Sequence, residues 1–107
     1  MKWDYKDGWR SSHCEIVDDD DWRSIENYMK LQDREGVYLF ADVNLQVKYI
    51  SKAGAGRMIA EIEYAIRRGK DRGATQVKTL YTNSTANAQK LENYLIRIYQ
   101  PNNNMTF

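Results

Sequence analysis

A chain of 107 residues, 42% hydrophobic and 29% charged, has room for one packed domain and not for two. No apolar run approaches the ~18 residues of a membrane span, and Met1 to Arg10 lack the apolar core of a secretory leader, so a cytoplasmic protein without a membrane segment is expected. One cysteine, Cys14, excludes an internal disulfide, and with His13 as its only companion soft ligand a zinc site is not expected.

Any bound metal should therefore be a hard ion held by oxygen. The net charge of +1 hides an asymmetry: residues 1–35 sum to −4 and residues 36–107 to +5. A mild basic excess is a weak pointer to nucleic acid.

In chain order, residues 1–21 carry Trp3, Tyr5 and Trp9 and then Asp18 to Asp21. This predicts an arm that docks its aromatics on the domain and exposes its charges. The aspartates also suit a helix N-terminus, where negative charge meets the positive end of the dipole. A helix is expected from Trp22 to about Gln32, with Trp22, Ile25, Tyr28 and Met29 on one side. Residues 1–33 would thus be an acidic, aromatic extension and residues 34–107 the main domain.

Gly36 to Ser51 predicts a hairpin. Val37-Tyr38-Leu39-Phe40 and Val47-Lys48-Tyr49-Ile50 are rich in β-branched and aromatic residues. Asp42 and Asn44 form the turn between them. A helix is expected from about Arg57 to Arg68, with Met58, Ile62, Ala65 and Ile66 as its apolar stripe. Arg57, Glu61, Tyr64 and Arg68 form a polar stripe beside it.

The basic loop Gly69-Lys70-Asp71-Arg72-Gly73 leads to a strand over 76–82. Asn83 and Ser84 suit a helix cap, and the last helix should run from about Thr85 to Gln100, stopped by Pro101. The order helix, β, β, α, β, α predicts an α/β (α+β) domain: a small three-stranded antiparallel sheet flanked by helices.

The last helix holds the most informative residue. Ala88, Leu91, Leu95, Ile98 and Tyr99 make its apolar face, and Glu92 falls inside that arc. A carboxylate there is costly unless it is paired, reaches solvent at the edge, or binds metal.

Gly36-Val37-Tyr38 followed by Tyr49-Ile50-Ser51 resembles the two half-motifs of the GIY-YIG nucleases, with the tyrosines eleven residues apart. Lys52-Ala53 looks like the version in the N-terminal nuclease domain of the bacterial repair excinuclease. Glu92-x-x-Leu95-Ile96-Arg97, with Pro101 nine and Asn104 twelve residues after the glutamate, is similar to that family's ending, as is Thr82-Asn83-Ser84 before the helix. The resemblance covers about residues 34–104.

The resemblance implies a GIY-YIG-like fold and a divalent-metal-dependent endonuclease that hydrolyses DNA phosphodiesters, with a role in DNA repair among the settings this fold serves. It implies that Glu92 holds one Mg²⁺ or Mn²⁺ and that Arg57 supports the scissile phosphate. Tyr49 would activate or orient the attacking water, and Tyr38 would order the same network. Lys52 and Asn104 match substrate-side residues. Ser51 stands where the second half-motif has glycine. Glu61 stands where the family has a His or Tyr, and Tyr64 could substitute from the same stripe, with Arg68 beside it as a further nucleic-acid contact.

The expected partner is DNA, with RNA also compatible with the motifs, and no membrane. Specificity would come from a homo-oligomer, a partner protein or DNA shape. Two other readings stay open. One is a binding module that kept the fold and lost the chemistry, with Glu61 competing for Arg57. The other is a regulatory protein in which the acidic leader covers the basic site.

Overall fold

The structure, a computed structural model, describes residues 1–4 and 15–105. Tyr5, Trp9, His13 and Cys14, and the expectations resting on them, lie outside these. The sheet has four antiparallel strands rather than three: β1 (Ile16–Ser24), β2 (Gly36–Ala41), β3 (Val47–Ala53) and β4 (Gln76–Thr82), in the order β1-β4-β2-β3. Helix α1 (Met58–Arg67) follows β3, and α2 (Thr85–Tyr99) follows β4.

The extra strand corrects the expected helix over Trp22–Gln32. Those residues form the end of β1 and a short 3-10 helix, Ile25–Lys30, on which Met29 is exposed. The acidic run is a strand because its alternation serves both faces of the sheet. Asp19 and Asp21 meet Lys78 at 2.8 and 3.7 Å, and Lys78 is only 2% exposed. Asp20 turns to the other face, where its carboxylate accepts from the Tyr81 hydroxyl and from the Gln32 amide. A helix start would gather the same four charges in one turn and leave the Lys78 ammonium buried without a counter-charge, a severe penalty.

Strand β2 is central and buried along its whole length. Its alternation splits the core in two. Val37 and Leu39 pack toward Leu91, Leu95 and Tyr99 of α2, while Tyr38 and Phe40 pack toward Met58, Ile62 and Ala65 of α1. Trp3 is buried and stacks on Tyr99 at 5.6 Å between ring centroids, so this aromatic of the leader does dock on the domain.

The hairpin turn forms as expected: the Asp42 carboxylate accepts from the amides of Asn44 and Gln46, both at 2.9 Å. Gly36 is required by close approach, since a Cβ there would meet the Leu80 carbonyl oxygen at 2.1 Å. Ser84 caps α2 by accepting from the Asn87 amide at 3.1 Å. Gln100, with φ 44°, and Pro101 end it, and the chain turns through a short 3-10 helix, Asn102–Asn104, onto β3. Among the described residues no helix is long and apolar enough to cross a membrane.

Candidate functional site

Strand β3 is an edge strand, so every second residue points its backbone N–H and C=O outward. Ile50 and Lys52 are those residues, and side chains meet their outward groups. The Asn104 amide takes both groups of Ile50: its oxygen accepts from the Ile50 N–H at 2.8 Å, and its nitrogen donates to the Ile50 carbonyl at 2.7 Å. The Glu92 carboxylate accepts from the Lys52 N–H at 2.8 Å through Oε2. The arc position of Glu92 on α2 is what carries it to this edge.

The same oxygen accepts from the Ser51 hydroxyl at 3.4 Å. Ser51 faces the α1 side of the sheet, directly across from Tyr38 in the ladder. Tyr38 and Tyr49 lie side by side there, with ring centroids 6.1 Å apart. Burial raises the Tyr38 phenol far above the ordinary tyrosine range; the neighbouring Tyr49 adds to this, and the Ser51 hydroxyl pulls it partly back. Tyr38 is therefore a neutral phenol at any ordinary pH. It can donate a hydrogen bond and orient a neighbour, but it cannot serve as a base.

A second group of contacts flanks Glu92. The Lys52 ammonium donates to Gln89 Oε1. Gln89 Nε2 donates to Glu92 Oε1 at 3.2 Å and to Asn93 Oδ1 at 3.0 Å. Among the described residues no Lys or Arg forms an ion pair with Glu92. A half-buried carboxylate is thus held by neutral donors.

Tyr38, Tyr49, Lys52, Glu92 and Asn104 therefore converge on β3. Arg57 and Arg68 flank the two ends of α1, and Tyr64 lies on it. The Arg57 guanidinium pairs with Glu61 at 3.2 Å, and the Glu61 carbonyl accepts from the Tyr38 hydroxyl at 3.4 Å, which ties α1 to the cluster. Tyr64 is exposed, and the Arg68 guanidinium lies 5.3 Å from its ring centroid. A cavity of about 360 Å³ is lined by Arg34, Gly56 and Asn83 among others, and by none of the five residues gathered on β3.

Sequence reasoning missed Gln89, although the i, i+3 spacing of Gln89 and Glu92 was a usable signal, because such pairs are neighbours on a helix. Asn103, an alternative to Asn104 in the triple-Asn tail, makes contacts that left no signal. It is buried and donates to the carbonyls of Lys70 and Arg72 at 2.9 and 2.8 Å, which fastens the basic loop to the tail.

Among the described residues no group of three or more His, Cys, Asp or Glu could hold a metal ion. Glu92 is a lone carboxylate whose oxygens accept from Lys52, Ser51 and Gln89, so an oxygen-preferring divalent ion there would have to fill the rest of its shell with water and phosphate oxygens. The site does not suit zinc. The Asp18–Asp21 run lies at the opposite edge of the sheet from β3, with β4 and β2 between them, and its carboxylates meet Arg34, Lys78 and Tyr81. Those aspartates do not cover the β3 edge. No protein-family model matches this chain, and no curated protein matches it in sequence.

Proposed function

We propose that this protein is a divalent-metal-dependent endonuclease of GIY-YIG type that hydrolyses phosphodiester bonds in DNA. The observation that carries the reading is the Glu92 carboxylate: half-buried, unpaired with any cation among the described residues, and fixed at the β3 edge against Ser51, whose hydroxyl also meets Tyr38. An uncompensated charge in such a position is costly, and a bound cation relieves the cost. The half-motif resemblance, hairpin first and glutamate helix last, agrees with it.

Hydrolysis needs an activated water, neutralised phosphoryl oxygens and a stabilised leaving oxygen. A Mg²⁺ or Mn²⁺ ion held through Glu92 supplies the charge neutralisation. Arg57 offers the planar guanidinium that grips phosphate oxygens. Tyr49 orients the attacking water, and Tyr38, a neutral donor, fixes the Tyr49 side of the network. Lys52, Tyr64 and Arg68 bind the nucleic-acid strand, and Asn104 holds β3 in register for all of them.

The test is a cleavage panel of plasmid, branched and single-stranded DNA with Mg²⁺ and Mn²⁺, run beside Glu92→Ala. Wild-type protein should nick or cut, and Glu92→Ala should not, while still unfolding cooperatively. Persisting cleavage in Glu92→Ala would overturn the site.

The Arg57–Glu61 pair favours a second reading, a nucleic-acid-binding module whose guanidinium is already engaged. Its signature is affinity that falls steeply with salt and no cleavage with any divalent ion.

A further inference from the structure

The Lys52 backbone touches Glu92, yet the Lys52 ammonium does not. The N–H of Lys52 lies 2.8 Å from Glu92 Oε2. Its four-carbon stem is long enough to fold back on the same carboxylate, and opposite charges so close attract strongly at a half-buried site. Gln89 stands between them. Its Oε1 accepts from the Lys52 ammonium, and its Nε2 donates to Glu92 Oε1 at 3.2 Å. An amide is the side chain that can do both at once, with an acceptor for the cation and a donor for the anion. Asn93 Oδ1 takes the second Nε2 proton at 3.0 Å and fixes the orientation of the amide.

We propose that Gln89 is a positioning residue, an amide spacer that keeps the Lys52 ammonium off Glu92, so that the carboxylate stays open to a divalent cation and the ammonium to a substrate phosphate. The proposal rests on the metal-dependent reading above. A direct Lys52–Glu92 ion pair would neutralise both groups and close the site to metal and phosphate alike. The spacer is structurally cheap: Gln89 is half-exposed on the first half of α2, and alanine is a better helix former at that position.

The test is Mn²⁺ affinity, read from the paramagnetic resonance of the free ion, on full-length protein. The variants are Gln89→Ala, Lys52→Met, Gln89→Ala with Lys52→Met, and Glu92→Gln, with thermal melting of each as the check on folding. Gln89→Ala should weaken Mn²⁺ binding by about tenfold, the scale of one close charge pair at a partly buried site. Adding Lys52→Met should restore it, because the competing ammonium is gone. A merely structural role for Gln89 would not be rescued by removing Lys52. Unchanged affinity in Gln89→Ala, or no rescue in the double variant, overturns the spacer while leaving the metal site standing. Absent Mn²⁺ binding in the wild type, or binding that survives Glu92→Gln, overturns the metal reading and the spacer with it.

Discussion

The Asn104 side chain imitates a neighbouring strand for Ile50, accepting from its N–H at 2.8 Å and donating to its carbonyl at 2.7 Å. Ile50 is fully buried, so Asn104→Ala strands two backbone groups with little access to water. The expected cost is about 2 kcal/mol. Asn102→Ala, at an exposed position of the same tail, should cost little. Urea denaturation of both variants measures the difference, and equal midpoints would show that the tail does not hold β3.

The Arg57–Glu61 pair predicts a gain of function. Glu61→Gln releases an exposed guanidinium whose ion pair is worth at most about 1 kcal/mol. DNA affinity at low salt should rise by about threefold, with a steeper salt dependence. Binding titrations at several salt concentrations read both. An unchanged salt slope would mean that Arg57 meets no phosphate.

Gly36 permits the close crossing of β2 and β4. Its would-be Cβ lies 2.1 Å from the Leu80 carbonyl oxygen and 2.9 Å from the Tyr81 Cα, both backbone atoms. Gly36→Ala should destabilise by about 3 kcal/mol or more, since neither atom can move without parting the strands. Chemical denaturation is the measurement, and a loss under about 1 kcal/mol would contradict the geometry.

Alkaline pH should unfold this protein through its buried phenols. Burial raises the pKa of Tyr38, with Tyr49 adding to it. Burial raises that of Tyr81 too, with the hydrogen bond to Asp20 next in weight. Both stay protonated in the folded state while the unfolded chain ionises at about 10. The stabilisation is complete below that pH and lost as pH rises through it toward the folded-state values. Each phenol then contributes a slope of about 1.4 kcal/mol per pH unit. Tyr38→Phe should flatten the alkaline limb of the stability profile by one proton, measured by denaturant titration across that limb.

The Lys78 pairing tests why the acidic run is a strand. Replacing Asp19 and Asp21 together by Ala strips both carboxylates from a buried ammonium and should cost about 3 kcal/mol. Lys78→Met removes the ammonium as well and should cost less. Equal losses in the two variants would mean that the ion pairs do not select the strand.

The outcome of these residues explains what the sequence could and could not reveal. The hairpin, both α-helices, the Ser84 cap and the stop at Pro101 were legible because each rests on short-range chemistry: side-chain alternation, helical periodicity, a capping hydroxyl, a missing N–H. The inward position of Glu92 was legible for the same reason, as a phase angle on one helix. The strand nature of Ile16–Ser24 was not. Its aspartates satisfy a local rule for helix starts, and the deciding partners, Lys78 and Tyr81, lie some sixty residues away in the chain.

Local pattern was enough to assign the candidate residues to their elements: Tyr38 and Tyr49 to a hairpin, Glu92 to the last helix, Asn104 to the turn after the proline. Their surroundings came only with the packed fold. It brought Glu92 to the edge of β3, set Ser51 between the carboxylate and Tyr38, gave Arg57 to Glu61, and put Gln89 between Lys52 and Glu92. The reason is physical. Periodicity fixes the direction of a side chain within its own element, whereas a hydrogen bond or an uncompensated charge depends on a partner that only the packing of one element on another brings within reach.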